Sequence, residues 1–454
     1  MKAVIVLFVV GWLTGYFMLS ILDLRKYSKG VIMQVLVDYA AGAGTVTLLM
    51  FATAVTTGSL NNEVIYVLVL CLFIVYLTMT GGPARVTAHR PPYDIKQYLY
   101  LIPALIVVIP MVALSYKAVP LGWDTRFIYL FRAKMLFVEG QLRTASFTEP
   151  QYLFAHPDYP LNIPLQIAYL YQLLGRIAPD AGKLVLMTYL LLIFLFMYSF
   201  LKSMMPAYAA VLSALTFFTL RRVMGLAYTG IDLPLALYIL IGTSFYYLYI
   251  RDGDVHYVVL SGLLLGIGAW TKLEGITYFM GTALCICIFT RYHLKKPLSV
   301  SFKRMTCFLL PGLTFIVPWQ IFIHSDHFPV NWIVKGRGAT SLTTAFSRLC
   351  KISEYFGREI VFNEPFFAIV ALSLIYMVFK KKSGLFLSVS AVFMLQLIAY
   401  IIALYLQPNP LSAELGVTVQ RLLLQITPSI LLVSLALLFD PTGKDLTKDT
   451  VHES

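Results

Sequence analysis

LVLMTYLLLIFLFMYSFL, residues 184–201, runs eighteen positions without a charge. As a helix rising 1.5 Å per residue it covers about 27 Å, close to the ~30 Å hydrocarbon core of a bilayer. It shows no period-two alternation, so it does not read as a strand of a membrane barrel. Comparable runs recur along all 454 residues, of which 59% are hydrophobic and 13% charged. A soluble domain carries about twice that charge fraction. Mean hydropathy is +0.79. Within hydrocarbon only helices and closed barrels satisfy their own backbone groups. The expected fold is therefore all-α, a polytopic helical membrane protein.

Working outward from 184–201, hydropathy predicts about thirteen spans. They are 3–22, 31–55, 64–80, 98–119, 184–201, 207–220, 233–250, 257–270, 276–290, 305–323, 366–379, 385–406 and 422–439. The first resembles a signal peptide in length. It lacks a small-x-small cleavage site and holds Trp12, Tyr16 and Phe17, which predicts a retained anchor. No internal repeat or low-complexity tract interrupts the series.

The net charge of +13 is placed in short loops: Arg25/Lys26/Lys29, Arg85/Arg90/Lys96, Arg291/Lys295/Lys296/Lys303/Arg304 and Lys380/Lys381/Lys382. That placement follows the positive-inside rule and excludes nucleic acid as a partner. With these loops in the cytoplasm, segments 121–183, 221–231, 271–275, 324–365 and 407–421 face outward, and the tail 440–454 lies inside. All the long, aromatic-rich loops then share one face. Of five cysteines, Cys71, Cys285, Cys287 and Cys307 lie in apolar runs and Cys350 in a loop, so no disulfide framework or CxxC metal site is expected.

The first outer segment is the longest polar stretch. Within it, 126–139 mixes Arg126, Arg132 and Lys134 with Phe127, Ile128, Phe131 and Leu136, the pattern of a helix lying in the headgroup plane. Residues 161–177, apolar but carrying Asn162, Pro164, Gln166 and Gln172, predict a second such helix.

Five motifs, in this order, carry a resemblance: GWD at 122–124 followed by Ala133-Lys134, HPDYPLNIPLQ at 156–166, IDLPLALY at 231–238, TKLEG at 271–275 and RLLLQITP at 421–428. Together they resemble the GT-C class of integral-membrane glycosyltransferases, in particular the superfamily of dolichyl-phosphate-mannose protein mannosyltransferases and aminoarabinose transferases. The resemblance covers 98–439, leaving 1–97 as a three-helix extension of the GT-C-like core. It implies an inverting transfer of a sugar from a polyprenyl-phosphate donor to a lipid, glycan or protein acceptor, on the outer face of the inner (plasma) membrane. It also implies that Asp124 is the catalytic base. Many relatives pair two acids at that point. Thr125 follows Asp124 here, so no resident metal is expected, and a divalent cation shared by Asp124 and Asp158 stays the open alternative.

Each candidate also has a plainer reading. Asp124 would cap the following helix, or take a proton from an acceptor hydroxyl. Asp158, between two prolines in HPDYP, is a turn residue or a second catalytic acid, with His156 and Tyr159 beside it. Asp232 caps a span, although acids at a membrane edge are often functional. Lys272 and Glu274 form an ion pair, or Lys272 grips the donor phosphate while Glu274 orients it. Arg221, Arg222 and Arg421 are cations on the face where few are expected. They snorkel to headgroups, or hold the donor phosphate as guanidinium forks do, with Gln425 one turn below Arg421. His324, Asp326 and His327 lie too close together to make a tetrahedral zinc site by themselves. Two other activities fit the same outer charges: a polysaccharide polymerase or ligase using a diphospho-lipid donor, and a flippase or transporter of lipid-linked sugars.

Overall fold

The computed structural model describes residues 2–80, 99–117, 122–219, 231–325, 342–362, 383–406 and 415–439. Among them there is helix and no strand. The chain divides into two compact units, Met1–Leu215 with Ala227–Pro234, and Thr216–Leu226 with Leu235–Ser454.

The first unit opens with α1 (Lys2–Ile21), α2 (Val31–Thr57), α3 (Glu63–Thr80) and α4 (Leu101–Lys117). A seven-residue π-helical turn, Asp124–Leu130, then runs straight into α5 (Phe131–Glu139). After two short turns come α6 (Asn162–Leu174), α7 (Pro179–Leu201) and α8 (Ala207–Thr219). Local chemistry sets several of these limits. Gly58, Gly140 and Gly175 close α2, α5 and α6 in the left-handed conformation, which costs glycine nothing. Pro179 opens α7, where a missing N–H leaves no bond unmade.

α1 and α2 pack backbone to backbone. Gly11 and Gly15 face Gly42, and a methyl group on Gly15 would lie 1.7 Å from the Asp38 carbonyl oxygen. Such small-xxx-small seams let helices approach closely where lipid supplies no hydrophobic drive. Beside the seam Arg25 Nε meets the buried Asp38 carboxylate at 3.0 Å and stacks over Tyr16. α2 also packs on α6 and α7, and α1 on α6.

The second unit holds α9 (Asp232–Asp252, from Leu235 onward), α10 (Val255–Thr271), α11 (Glu274–Tyr292), α12 (Leu298–Ser325), α13 (Leu342–Phe362), α14 (Ser383–Leu406) and α15 (Leu415–Phe439). Asp254 caps α10 by accepting the His256 N–H at 3.0 Å. α10 and α12 repeat the glycine seam: methyl groups on Gly262 and Gly266 would lie 2.0 Å from the Phe308 oxygen and 2.2 Å from Gly312 Cα. α11 packs on α10, α12 and α14, and α13 on α14 and α15.

Among the described residues eight helices are long and apolar enough to cross a membrane: α1, α2, α7, α9, α11, α12, α14 and α15. α3, α4, α8 and α10 are shorter apolar helices. This is the pattern of a polytopic helical membrane protein. The expected span 366–379 and the tail 440–454 lie outside the described residues.

Three expectations are corrected. Residues 161–177 do not form a helix on the membrane surface. α6 is buried on every side from Asn162 to Tyr171, and thirteen residues span only about 20 Å, too short to cross. Its polar residues are satisfied internally: Thr47 and Gln166 donate to the Asn162 side-chain oxygen Oδ1 at 2.8 and 3.0 Å, and Tyr189 donates to Gln166 Oε1 at 3.0 Å. Arg421 does not open the last helix, because α15 begins six residues earlier at Leu415. Hydropathy misses the start, since Gln420 and Arg421 dilute the apolar signal. Finally, Cys350 lies in α13 and not in a loop. That helix buries Ile352, Phe356 and Glu359 while leaving Arg358 and Lys351 exposed.

Candidate active site

The turns that carry the candidate residues of the first outer segment pack on one another within the first unit. Asp124 is the first residue of the π-turn and half-buried. The turn packs against α6 and against the 3₁₀ turn Pro150–Ala155, which delivers His156. His156 takes a left-handed backbone (φ 48°), and its carbonyl accepts the Tyr159 N–H at 3.0 Å, closing a four-residue turn around Asp158. The rings of His156 and Tyr159 lie 4.6 Å apart, and Tyr159 reaches the π-turn at Tyr129, 6.5 Å between centroids. Two motifs thirty residues apart in sequence are thus pinned to one platform.

Arg132 is the pin, and the sequence reading assigned it elsewhere. It does not lie among headgroups as a snorkelling cation would. It is 2% exposed, and donates from Nη1 to the Tyr159 carbonyl at 2.6 Å and from Nη2 to the Pro157 carbonyl at 3.4 Å. Its guanidinium also stands 5.1 Å over the Phe147 ring. Burial pulls its pKa down to about 10, against the attraction of Tyr129 and Asp158, so it stays cationic at neutral pH. The signal was present: two prolines in HPDYP leave carbonyls that no helix or strand satisfies, and a nearby arginine is the usual donor.

Asp158 is 6% exposed. Burial pushes its carboxyl above the usual carboxylate range, opposed by a backbone N–H and by the attraction of Arg132. Because folding raises this pKa, the protonated acid favours the folded state. Its contribution is fully present below about pH 4, the unfolded value, and is lost as pH climbs through the raised folded value. Asp158→Asn, neutral at every pH, is therefore expected to melt higher than wild type at pH 7 and to converge with it near pH 4. Thermal unfolding in detergent across that range checks this. A lower melting temperature at pH 7 would mean the ionised pair with Arg132 is a net tie.

Lys272, Glu274, Arg421 and Gln425 belong to the second unit. Lys272 ends α10 in extended backbone, and Glu274 starts α11 one residue beyond Leu273. Their charges meet at 3.0 Å, with side chains 5% and 23% exposed. The turn is braced from α14, where Gln396 donates to the Glu274 carbonyl at 3.3 Å and accepts from Thr277 at 2.9 Å. The ion-pair reading of Lys272 and Glu274 is thus the one the contacts display. Gln425 is fully buried and accepts from the Tyr400 hydroxyl at 2.8 Å, a bond between α14 and α15. Arg421 is half-buried on α15. Asp232 is fully buried at the first position of α9. Arg221, Arg222, Asp326 and His327 lie outside the described residues. No group of three potential metal ligands occurs among the described residues.

Breaking the Lys272 pair is expected to be costly. Glu274→Gln removes the carboxylate that stands 3.0 Å from a buried ammonium, destabilising by roughly 2 kcal/mol, less than for a fully buried pair because Glu274 keeps some water. The double variant Lys272→Met/Glu274→Gln is expected to recover most of that loss. Chemical denaturation of the three variants reads it out, and a double variant no better than the single would sink the pairing.

No protein-family model, curated protein or solved structure matches the chain.

Proposed function

We propose that the protein is an inverting membrane glycosyltransferase of the GT-C type, with about thirteen spans, in the plasma (inner) membrane of a bacterium. It moves a sugar from a polyprenyl-phosphate donor to a lipid, glycan or protein acceptor at the extracytoplasmic face. One observation carries the reading: the π-turn bearing Asp124 is packed onto the turn bearing His156, Asp158 and Tyr159. Rare π-turns occur often at functional sites, and buried carboxyls with raised pKa values concentrate at such sites.

In this proposal Asp124 accepts the proton of the acceptor hydroxyl as its oxygen bonds to the anomeric carbon. The bond from that carbon to the phosphate oxygen breaks on the opposite face, inverting the centre, as water attack does in inverting glycosidases. The departing phosphate carries the electron pair away. For that charge the chain offers Arg421, with Lys272 or Arg222, as phosphate-holding cations. Asp158 positions the acceptor, and Asp232 lies at a helix start where it supports the site.

The test is mass spectrometry of lipid carriers and surface glycans in cells with and without the gene. Accumulation of a sugar-charged polyprenyl phosphate, with loss of one sugar from a surface glycan or lipid, is expected. Loss of a whole polymer would favour a diphospho-lipid polymerase or ligase. Carrier movement in vesicles that lack acceptor would favour a flippase or transporter.

A further inference from the structure

A cavity of about 540 Å³ opens beside the π-turn and is not part of the chemistry proposed above: neither Asp124 nor Asp158, nor His156, lines it. One wall is the face carrying Arg126, Phe127, Phe131 and Lys134, and the other is the start of α7, with Ile177, Asp180 and Lys183. Three cations therefore oppose one carboxylate, with aromatic and aliphatic surface between them. A small soluble anion needs the cations but not the apolar walls. An anionic amphiphile needs both.

Two independent observations put the cavity at the depth of lipid headgroups. α7 is uninterrupted apolar sequence from residue 184 onward, so Pro179–Lys183 marks the level at which hydrocarbon ends. Trp123, which does not line the cavity but packs 4.2 Å from Phe127, which does, is 63% exposed, and exposed tryptophans concentrate at the membrane–water boundary. The volume lies within the range of small-ligand sites. Arg126 and Lys134 are exposed, as cations that meet a headgroup at the surface must be.

We infer that this cavity binds the phosphodiester headgroup of an anionic bilayer phospholipid, with Arg126, Lys134 and Lys183 around the phosphate and Phe127, Phe131 and Ile177 against its first apolar carbons. A lipid held there braces the π-turn against the start of α7.

The experiment titrates phosphatidylglycerol and phosphatidylcholine into delipidated, full-length protein in detergent, wild type and Arg126→Glu/Lys134→Glu. Phosphatidylglycerol is expected to bind at least tenfold tighter than phosphatidylcholine. The charge-reversed variant is expected to lose about tenfold or more of that affinity, at unchanged melting temperature. Equal affinity for the two lipids overturns the inference, as does unaltered binding by the folded variant. So does displacement by glycerol phosphate, which would make it a free-phosphate site, or by a short-chain prenyl phosphate, which would make it the carrier site. Binding is read without any transfer reaction, so its failure is distinct from failure of the glycosyltransferase proposal.

Discussion

Asp124→Asn is expected to slow sugar transfer about 10²- to 10⁴-fold, the usual worth of a positioned general base, in a chain that still folds. The amide keeps the shape of the carboxylate and its capacity to accept a hydrogen bond, but it cannot take a proton. Asp124 is the first residue of the π-turn and half-buried, and asparagine preserves its size there. The measurement is single-turnover transfer from a polyprenyl-phosphate sugar, with melting temperature recorded in parallel. Turnover near wild type would remove Asp124 from the base role. Asp158→Asn separates the two acids: it too is expected to slow transfer, but with a gain in stability at neutral pH, because its carboxyl is buried at a cost. A functional acid held against its own stability is a common trade at active sites.

The helical membrane architecture was legible from hydropathy because long spans such as 184–201 must be apolar over their whole length. What hydropathy misread were places where polarity is satisfied inside the protein. Asn162 and Gln166 look water-facing in sequence, yet they bond to each other, to Thr47 and to Tyr189 within the core. Arg132 reads as a surface cation, yet it serves two carbonyls of a proline-rich turn. Apart from the bond between Asn162 and Gln166 themselves, these partners lie more than twenty residues away, which no local window contains. α13 is a different case. Its apolar residues Ile352 and Phe356 recur at helical spacing, but a search for unbroken apolar runs passes over an amphipathic helix. Within the first unit the site candidates of the first outer segment, Asp124, His156, Asp158 and Tyr159, were named from sequence. The contact between the two turns that carry them was visible only in the packing.

A single methyl group at Gly42 is expected to destabilise the first unit by more than about 3 kcal/mol, the upper range for forcing atoms into a closed interface. The added carbon would sit 1.8 Å from the Gly11 carbonyl oxygen and 2.5 Å from the Gly15 nitrogen. Those are backbone atoms of α1, so no rotamer change relieves the clash and the helices must separate along the seam. Separation would loosen the backbone contact between α1 and α2 and strain the Arg25–Asp38 pair beside it. Losing even part of this is serious for a fold whose net stability is of order 5–15 kcal/mol. Gly281→Ala is the control. It is also a glycine within a helix, α11, but its added methyl would meet only Leu395, at 3.6 Å. There the better helix propensity of alanine is expected to leave stability unchanged or raise it by up to about 1 kcal/mol. Thermal unfolding of both variants in the same detergent decides the matter. If Gly42→Ala melts with wild type, the close approach of α1 and α2 is not what holds the N-terminal helices to the rest of their unit.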